Sequence, residues 1–325
     1  MAPHAVRRTW LGWLAWASVG AFACSTIYLF LARWFWPAEI LCHFRPILGA
    51  FGLFAALVAL GLRLRSQALA LGALALICAW PTLALCVPRA TEESAGKSLR
   101  VATVNLLWGS ESFDALAPWL DEEQPAVVFI SEVDSKRLPR IEALRERGYP
   151  YQFVDPPPAE WHAKTWGNAL ISRLPLSHSE VRWPGPILDA RVEFEGRVLR
   201  VLGAHPLRPG RAEMTHRRNV VLAELGVLAG ERADVVLLGD LNMTESTPRF
   251  GELLEAGHLA DTRAGRGPMG TWRVIVPRVF WDLRPLRLPI DHVLSRGHLA
   301  VTAFSMGPEI DSDHFPVIAE IGWRD

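Results

Sequence analysis

Val235-Val236-Leu237-Leu238-Gly239-Asp240-Leu241-Asn242 reads as a buried strand that delivers an acid and an amide to its carboxyl end. Four consecutive apolar residues leave the strand no polar face, so it must be covered on both sides. The same arrangement recurs along the chain. Asn105 closes Val101-Ala102-Thr103-Val104, Glu132 closes Val127-Val128-Phe129-Ile130-Ser131, and His205 closes Val201-Leu202-Gly203-Ala204. Asp291 and His292 follow Pro289-Ile290, and Asp313-His314 precedes a last apolar run. One acid after a strand is commonly a loop residue or a helix cap. Six such groups point to one crevice, because strand ends on one side of a sheet converge there.

Outward from these ends, strands and helices alternate. Strands are expected at Leu99–Asn105, Val127–Glu132, Ala169–Ser172, Val198–His205, Val235–Asp240, Ile290–Leu294 and Pro316–Ile321. Helices are expected at Phe113–Glu123, Leu138–Glu146 and Ala212–Leu228. The pattern is α/β, with no internal repeat and no low-complexity segment.

All four cysteines (Cys24, Cys42, Cys78 and Cys86) precede residue 90, so the later part has neither a disulfide nor a thiolate metal site. Carboxylates and amides without thiolates make a hard-oxygen site suited to Mg²⁺, Mn²⁺ or Ca²⁺. Histidines beside them suit proton transfer and the binding of an anionic oxygen. Phosphoester hydrolysis needs both, a cation against the phosphoryl charge and a base to align water.

Asn105, Glu132, Gly239-Asp240-Leu241-Asn242, Ile290-Asp291-His292 and Ser312-Asp313-His314, in this order, resemble the endonuclease/exonuclease/phosphatase (DNase-I-like) superfamily, in a membrane-anchored bacterial form. The resemblance spans essentially all of 99–321. It implies a four-layered α/β sandwich, two mixed β-sheets flanked by helices, with the site at one end. It also implies Asn105 and Glu132 as ligands of Mg²⁺ (or Mn²⁺), with Asp313 contributing nearby. By the same resemblance Asp240 orients or deprotonates the attacking water, Asn242 hydrogen-bonds a phosphoryl oxygen, and His314, supported by Asp291, binds or protonates the phosphate. His205 looks like the second active-site histidine of the deoxyribonuclease and sphingomyelinase branches. Gly167-Asn168-Ala169-Leu170-Ile171-Ser172-Arg173 resembles the family's inner strand, with Asn168 a phosphate contact. Arg173, Arg218 and Trp272 complete the candidate substrate-binding set. His292 reads as a core histidine. One departure from the abasic endonucleases is Leu107, where they carry an aspartate two positions after the first asparagine.

The beginning of the chain is a different material. Leu11–Leu31, Ile47–Leu62 and Ala68–Val87 are apolar on every face, and Trp10, Trp13, Trp34, Trp36 and Trp80 lie near their ends as in an interfacial belt. Ala21-Phe22-Ala23 has the form of a signal-peptide cleavage site, yet the apolar run continues to Phe35, which favours a retained anchor. The expected organisation is an anchor over 1–90 with helices near 11–31, 47–62 and 68–87, a linker over 91–98, and a catalytic domain over 99–325. The polar stretch Pro88–Ser98 reads as flexible. Arg7, Arg8, Arg63 and Arg65 oppose Arg33, Arg45 and Arg89, so loop charge hardly biases the orientation. Three crossings place the two ends on opposite faces. The expected location is multi-pass in a bacterial inner membrane, with the catalytic domain periplasmic or extracellular.

Residues 98–325 carry 26 basic and 31 acidic residues, a net of −5, which excludes a general nucleic-acid magnet. Local arginine clusters soften that exclusion: Arg208, Arg211, Arg217 and Arg218 follow His205, and Arg263, Arg266, Arg273, Arg278, Arg284 and Arg287 accompany Trp272, Phe280 and Trp281. Such a rim can track a nucleic-acid backbone and stack bases, or lie on a membrane surface and receive a phospholipid head group. The leading expectation is therefore a phosphodiesterase of the nuclease type. The alternative is a phospholipid, sphingomyelin or inositol-phosphate phosphodiesterase or phosphatase at the membrane, and a non-catalytic binding module comes last. No protein partner is inferred.

Overall fold

The computed structural model describes residues 3–90, 92–155, 167–231, 234–274 and 286–324. Helix α1 (Pro3–Phe30) leads through a single 3₁₀ turn, Leu31–Arg33, into a short α2 (Trp36–Cys42), then α3 (Arg45–Gly61) and α4 (Arg65–Leu85). Within α1, residues Trp10–Phe30 continue through the turn as a 24-residue apolar stretch, and α4 is a second such stretch; both are long and apolar enough to cross a membrane. The pair α2 and α3, bent by 65°, makes a third if counted as one span. Gly49, Gly52, Ala56 and Ala59 form the buried stripe of α3. The stripe lets backbones approach where lipid gives no hydrophobic drive. A Cβ on Gly52 would lie 2.6 Å from the Phe22 ring and 3.0 Å from Ala75 Cβ.

The expected span at 47–62 matches α3, but α2 was unexpected. Pro37 reads as a breaker, yet proline is tolerated in a first helical turn, where the amide needs no partner.

The remainder begins with β1 (Ser98–Asn105), α5 (Ser112–Glu123), β2 (Val127–Val133), α6 (Leu138–Ala143), β3 (Tyr151–Asp155) and β4 (Gly167–Ser172). It continues with β5 (Leu176–Arg182), β6 (Ile187–Phe194), β7 (Arg197–Ala204), α7 (Ala212–Gly230), β8 (Asp234–Asp240) and α8 (Pro248–Gly257). Short β9 (Ala260–Asp261), β10 (Trp272–Arg273) and β11 (Arg287–Leu288) precede β12 (Asp291–Arg296), β13 (Leu299–Met306) and β14 (Val317–Trp323). Two six-stranded mixed sheets result, ordered β13-β14-β1-β2-β4-β3 and β5-β6-β7-β8-β12-β9, with β10-β11 a separate ribbon.

Alternation explains why the inner strands are apolar throughout. Val127 and Phe129 pack into the core between the sheets, while Val128 and Ile130 pack under α5 and α6. On the other sheet Val236 and Leu238 face the shared core, and Val235 and Leu237 face α7 and α8. The order helix, sheet, sheet, helix is the expected four-layered sandwich. No expectation from the sequence covers β3, β5, β6, β13 or α8; in β5, β6 and α8 charged residues interrupt the apolar pattern.

The polar connection is bound rather than loose. Ala95 N donates to Trp323 O at 2.7 Å, Lys97 N to Glu195 Oε1 at 3.0 Å, and Val301 N to Glu92 Oε2 at 2.7 Å. Arg278, Arg284, Phe280 and Trp281, part of the expected rim, lie outside the described residues.

Candidate active site

β1 and β2 run parallel in one sheet, and β8 pairs antiparallel with β12 in the other, with Asp291 opposite Asp240. Asn105, Glu132, His205, Asp240 and Asp291 therefore arrive at one end of the sandwich. At Gly239 the backbone passes β7 so closely that a Cβ would lie 1.9 Å from Ala204 O, so only glycine fits before Asp240.

Asp240, 2% exposed, is the hub. Its Oδ2 accepts from Asn105 Nδ2 at 3.1 Å and lies 3.4 Å from His205 Nε2 and 3.7 Å from His314 Nε2. Its Oδ1 accepts from Asn242 N at 2.9 Å. Burial alone would raise the Asp240 carboxyl, but His314 and His205 outweigh it and bring the value down to about 2. For His205, burial opposes protonation and the Asp240 carboxylate overcomes it, shifting the imidazole upward. His314 is likewise buried, yet Asp291 and Asp240 push it up to about 10. Its Nδ1 meets Asp291 Oδ2 at 2.9 Å, which fixes the ring with Nε2 toward Asp240. Burial raises Asp291 itself, with His314 pulling the other way.

Glu132 joins the cluster through a strained backbone. It sits at φ 61° beside an irregularity in the β2–β4 pairing. Its Oε1 accepts from Asn105 Nδ2 at 3.0 Å and its Oε2 from Trp108 N at 2.7 Å. Buried Arg137 holds this corner, donating to Glu132 O at 3.1 Å and Leu107 O at 3.0 Å. Asn242, also in the left-handed region at φ 51°, donates through Nδ2 to Pro206 O.

The donor set is carboxylate, amide and imidazole with no thiolate, which fits a hard divalent cation. Asp313 Oδ1 and Asp291 Oδ1 are both buried and accept no hydrogen bond among the described residues. Ligating atoms of Asp240, Asp291 and His314 lie within 4.8 Å of one another. His314 Nδ1 and Asp291 Oδ2 are committed to each other; of the expected ligands, Asp313 keeps one oxygen without a hydrogen bond, while Glu132 and Asn105 Oδ1 already accept from the Asn105 amide and from backbone amides.

Trp272 lines the cavity, donating through Nε1 to Asp313 Oδ2 at 2.9 Å, with its ring 6.3 Å from that of His314. Asn168 is buried on β4 with Oδ1 accepting no hydrogen bond. Two expectations fail. Arg173 lies at the opposite end of the sheet, beyond Ser172, which pairs with Val127, and its guanidinium stacks 4.8 Å over Tyr149. Arg218 is fully buried and ion-paired with Glu39 of α2, so no substrate can touch it. Among the described residues, four more arginines of the expected rim have partners within the protein, two of them buried or part-buried and two in more exposed pairs. Arg263 is buried on Asp261, Arg266 donates to Thr262 O and Val301 O, Arg273 pairs with Glu309, and Arg217 pairs with Glu213. Arg208 does line the cavity.

Sequence reasoning missed three supports. Thr271 Oγ1 donates to Asp291 Oδ2 at 2.6 Å and receives Asp291 N at 3.1 Å, Ser312 Oγ ties His314 N to Asn105 O, and Arg137 holds Glu132. Ser312 was in view as part of Ser312-Asp313-His314; nothing local marked Arg137.

The family model "Endonuclease/Exonuclease/phosphatase family" matches residues 102–314. No curated protein sequence matches the chain. Among solved structures, an endonuclease/exonuclease/phosphatase from Beutenbergia cavernae superposes with a TM-score of 0.56 at 21% identity, covering 70% of this chain and 72% of that one. The 3′ phosphatase NExo from Neisseria, bound to a product DNA hairpin, gives 0.55 at 20% identity, covering 69% and 100%. An AP endonuclease from Archaeoglobus fulgidus gives 0.52 at 17% identity, covering 68% and 98%. With the family model covering most of the chain and its motif residues gathered at one end of the sandwich, the chain belongs to the endonuclease/exonuclease/phosphatase family.

Proposed function

We infer that this chain is a divalent-metal-dependent hydrolase of phosphoesters, most simply of diesters, working at a membrane surface. The observation that carries the reading is the meeting of Asn105, His205, Asn242 and His314 on one buried carboxylate, Asp240. Mg²⁺ or Mn²⁺, held by Glu132, Asn105 and Asp313, would neutralise charge on the phosphoryl group. Asp240, clamped from both oxygens, orients the attacking water. Its low basicity reflects the two imidazole rings, of His314 and His205, that face it. An anionic substrate drawing on His314 and His205 relaxes that bias, and Asp240 can then take the proton. His314, aligned by Asp291 and Thr271, binds a phosphoryl oxygen through Nε2. Asn242, on the cavity wall, offers an amide beside Asp240.

The test uses the full chain in detergent with bis-p-nitrophenyl phosphate. Hydrolysis should need Mg²⁺ or Mn²⁺, stop with chelator, and fall by about 10²–10⁴-fold in Asp240→Asn. A variant as active as the wild type would remove the reading.

Nucleic acid is the second reading of the substrate, favoured by the DNA hairpin bound to the similarly folded Neisseria phosphatase. The arginines that would track a phosphate backbone are largely engaged within the protein, which weighs against it. The membrane placement rests on the apolar helices, and a periplasmic or extracellular catalytic domain follows if the amino terminus is cytoplasmic.

A further inference from the structure

The cavity above Asp240 is not made by the catalytic sandwich alone. Its volume is about 490 Å³, and Ile40, His43 and Phe44 line it together with His205, Asp240 and His314. These three residues form the elbow where α2 bends into α3. The elbow is fixed on the catalytic part by buried contacts. Glu39 and Arg218, 1% and 0% exposed, are ion-paired across the two parts. Arg45 Nη1 donates to Ser246 O at 3.4 Å, and Thr82 Oγ1 donates to Glu245 Oε1 at 2.6 Å. His43 is 8% exposed, and its Nδ1 has no hydrogen-bond partner among the described residues. A buried imidazole nitrogen at the edge of a reacting site, without a partner, is a group waiting for one.

Apart from Arg208, the rest of the wall is largely apolar. Leu107, Trp108, Leu207, Met214, Leu288 and Ile290 line the cavity around the polar cluster. Helices long and apolar enough to cross a membrane adjoin the elbow, so the cavity opens beside them. A nucleic-acid backbone would need an open, basic track here. The cavity instead has a largely apolar wall, to which the elbow adds Ile40 and Phe44, and Arg208 is the arginine that lines it.

Resting on the phosphoester reading above, we propose that the α2–α3 elbow completes the active site as a substrate wall. Ile40 and Phe44 receive an apolar chain, and His43 donates to the polar junction beside the ester. The substrate class is then a phosphoester carried on an acyl or alkyl body, taken from the bilayer. The bond cleaved is the phosphoester P–O bond. Water supplies the new P–O bond, its proton passes to Asp240, and the leaving oxygen takes a proton from His314.

The experiment uses the full chain in detergent with Mg²⁺ or Mn²⁺ and a series of p-nitrophenyl phosphodiesters bearing methyl, butyl or octyl groups. The wild type should show KM falling about tenfold or more from methyl to octyl, since each buried methylene favours binding. Phe44→Ser should flatten that dependence, and His43→Gln should raise KM for every ester alike, each checked for folding by its thermal midpoint. As a readout independent of turnover, an octyl phosphonate carrying a diazirine should label the elbow peptide. Hydrolysis of every ester with no chain-length dependence and no elbow labelling overturns the inference while leaving the phosphoester reading intact. Faster cleavage of single-stranded DNA, unaffected by either elbow variant, also overturns it. Hydrolysis of no ester at all defeats the underlying reading and this inference with it.

Discussion

Asp291 and His292 are neighbours in the chain, yet they do opposite things. Asp291 turns to His314 and Thr271 inside the site. His292, on the other face of β12, donates through Nε2 to Met243 O at 2.8 Å and stacks 4.8 Å from the Phe250 ring. Burial, helped by Arg263, lowers its imidazole to about 4. The folded chain therefore keeps His292 neutral where the unfolded chain protonates it. Its contribution to stability is complete above about pH 6.5 and is lost as pH falls toward 4, by about 3 kcal/mol in all. Unfolding free energy from pH 7 to 4 should drop about that much further in the wild type than in His292→Gln, which can keep the bond to Met243 O. Parallel profiles would show that His292 is not the group responsible. Both roles follow from period-two alternation, which the sequence displays, but only the partners reveal which face is the site.

At the scale of elements, α2 changes the meaning of the chain. It is seven residues long and joins α1 to α3, and it places Glu39 against Arg218 on α7. Removing one member of a buried pair leaves an uncompensated charge, at a cost of about 3–5 kcal/mol. Glu39→Ala should accordingly lower the thermal midpoint of the full chain strongly and expose the Pro88–Ser98 connection to protease. Replacing both residues with Leu should recover most of the loss, because no charge is then stranded. Equal destabilisation by single and double variants would mean the pair acts through packing alone. Neither partner was legible as such. Arg218 reads as a candidate substrate-binding arginine of the cluster after His205, and Glu39 as the lone acid before residue 90. Their sequence separation hides the contact, whereas β8 could be placed from its own composition.

For the whole molecule, α1 and α4 end beside the catalytic part, and α3 ends away from it. Arg33 meets Glu252 at the near end, and Gly265 N and Gly267 N donate to Leu85 O there. The turn holding Arg63 and Arg65 lies at the far end of α3, between α3 and α4. With three crossings, reporter fusions in a bacterial host should find the two termini on opposite sides of the inner membrane. An alkaline phosphatase fused to the carboxyl terminus should be active, and a fluorescent protein fused there dark. The reverse result would put the catalytic domain in the cytoplasm.

By itself the sequence determined the family, the two-faced burial of the inner strands and the residues Asn105, Glu132, His205, Asp240, Asn242, Asp291, Asp313 and His314, because alternation and strand-end motifs are local properties. It also determined that the first 90 residues hold helices long and apolar enough to cross a membrane, since composition alone decides that. Tertiary structure decided which arginines are free and which are spent on internal carboxylates, removing Arg173 and Arg218 from the candidate site. It also decided that the anchor forms a wall of the cavity. Those outcomes depend on distant segments meeting, Glu39 with Arg218 or Ile40 with Asp240, and no local pattern of residues encodes a meeting whose two halves are separately unremarked.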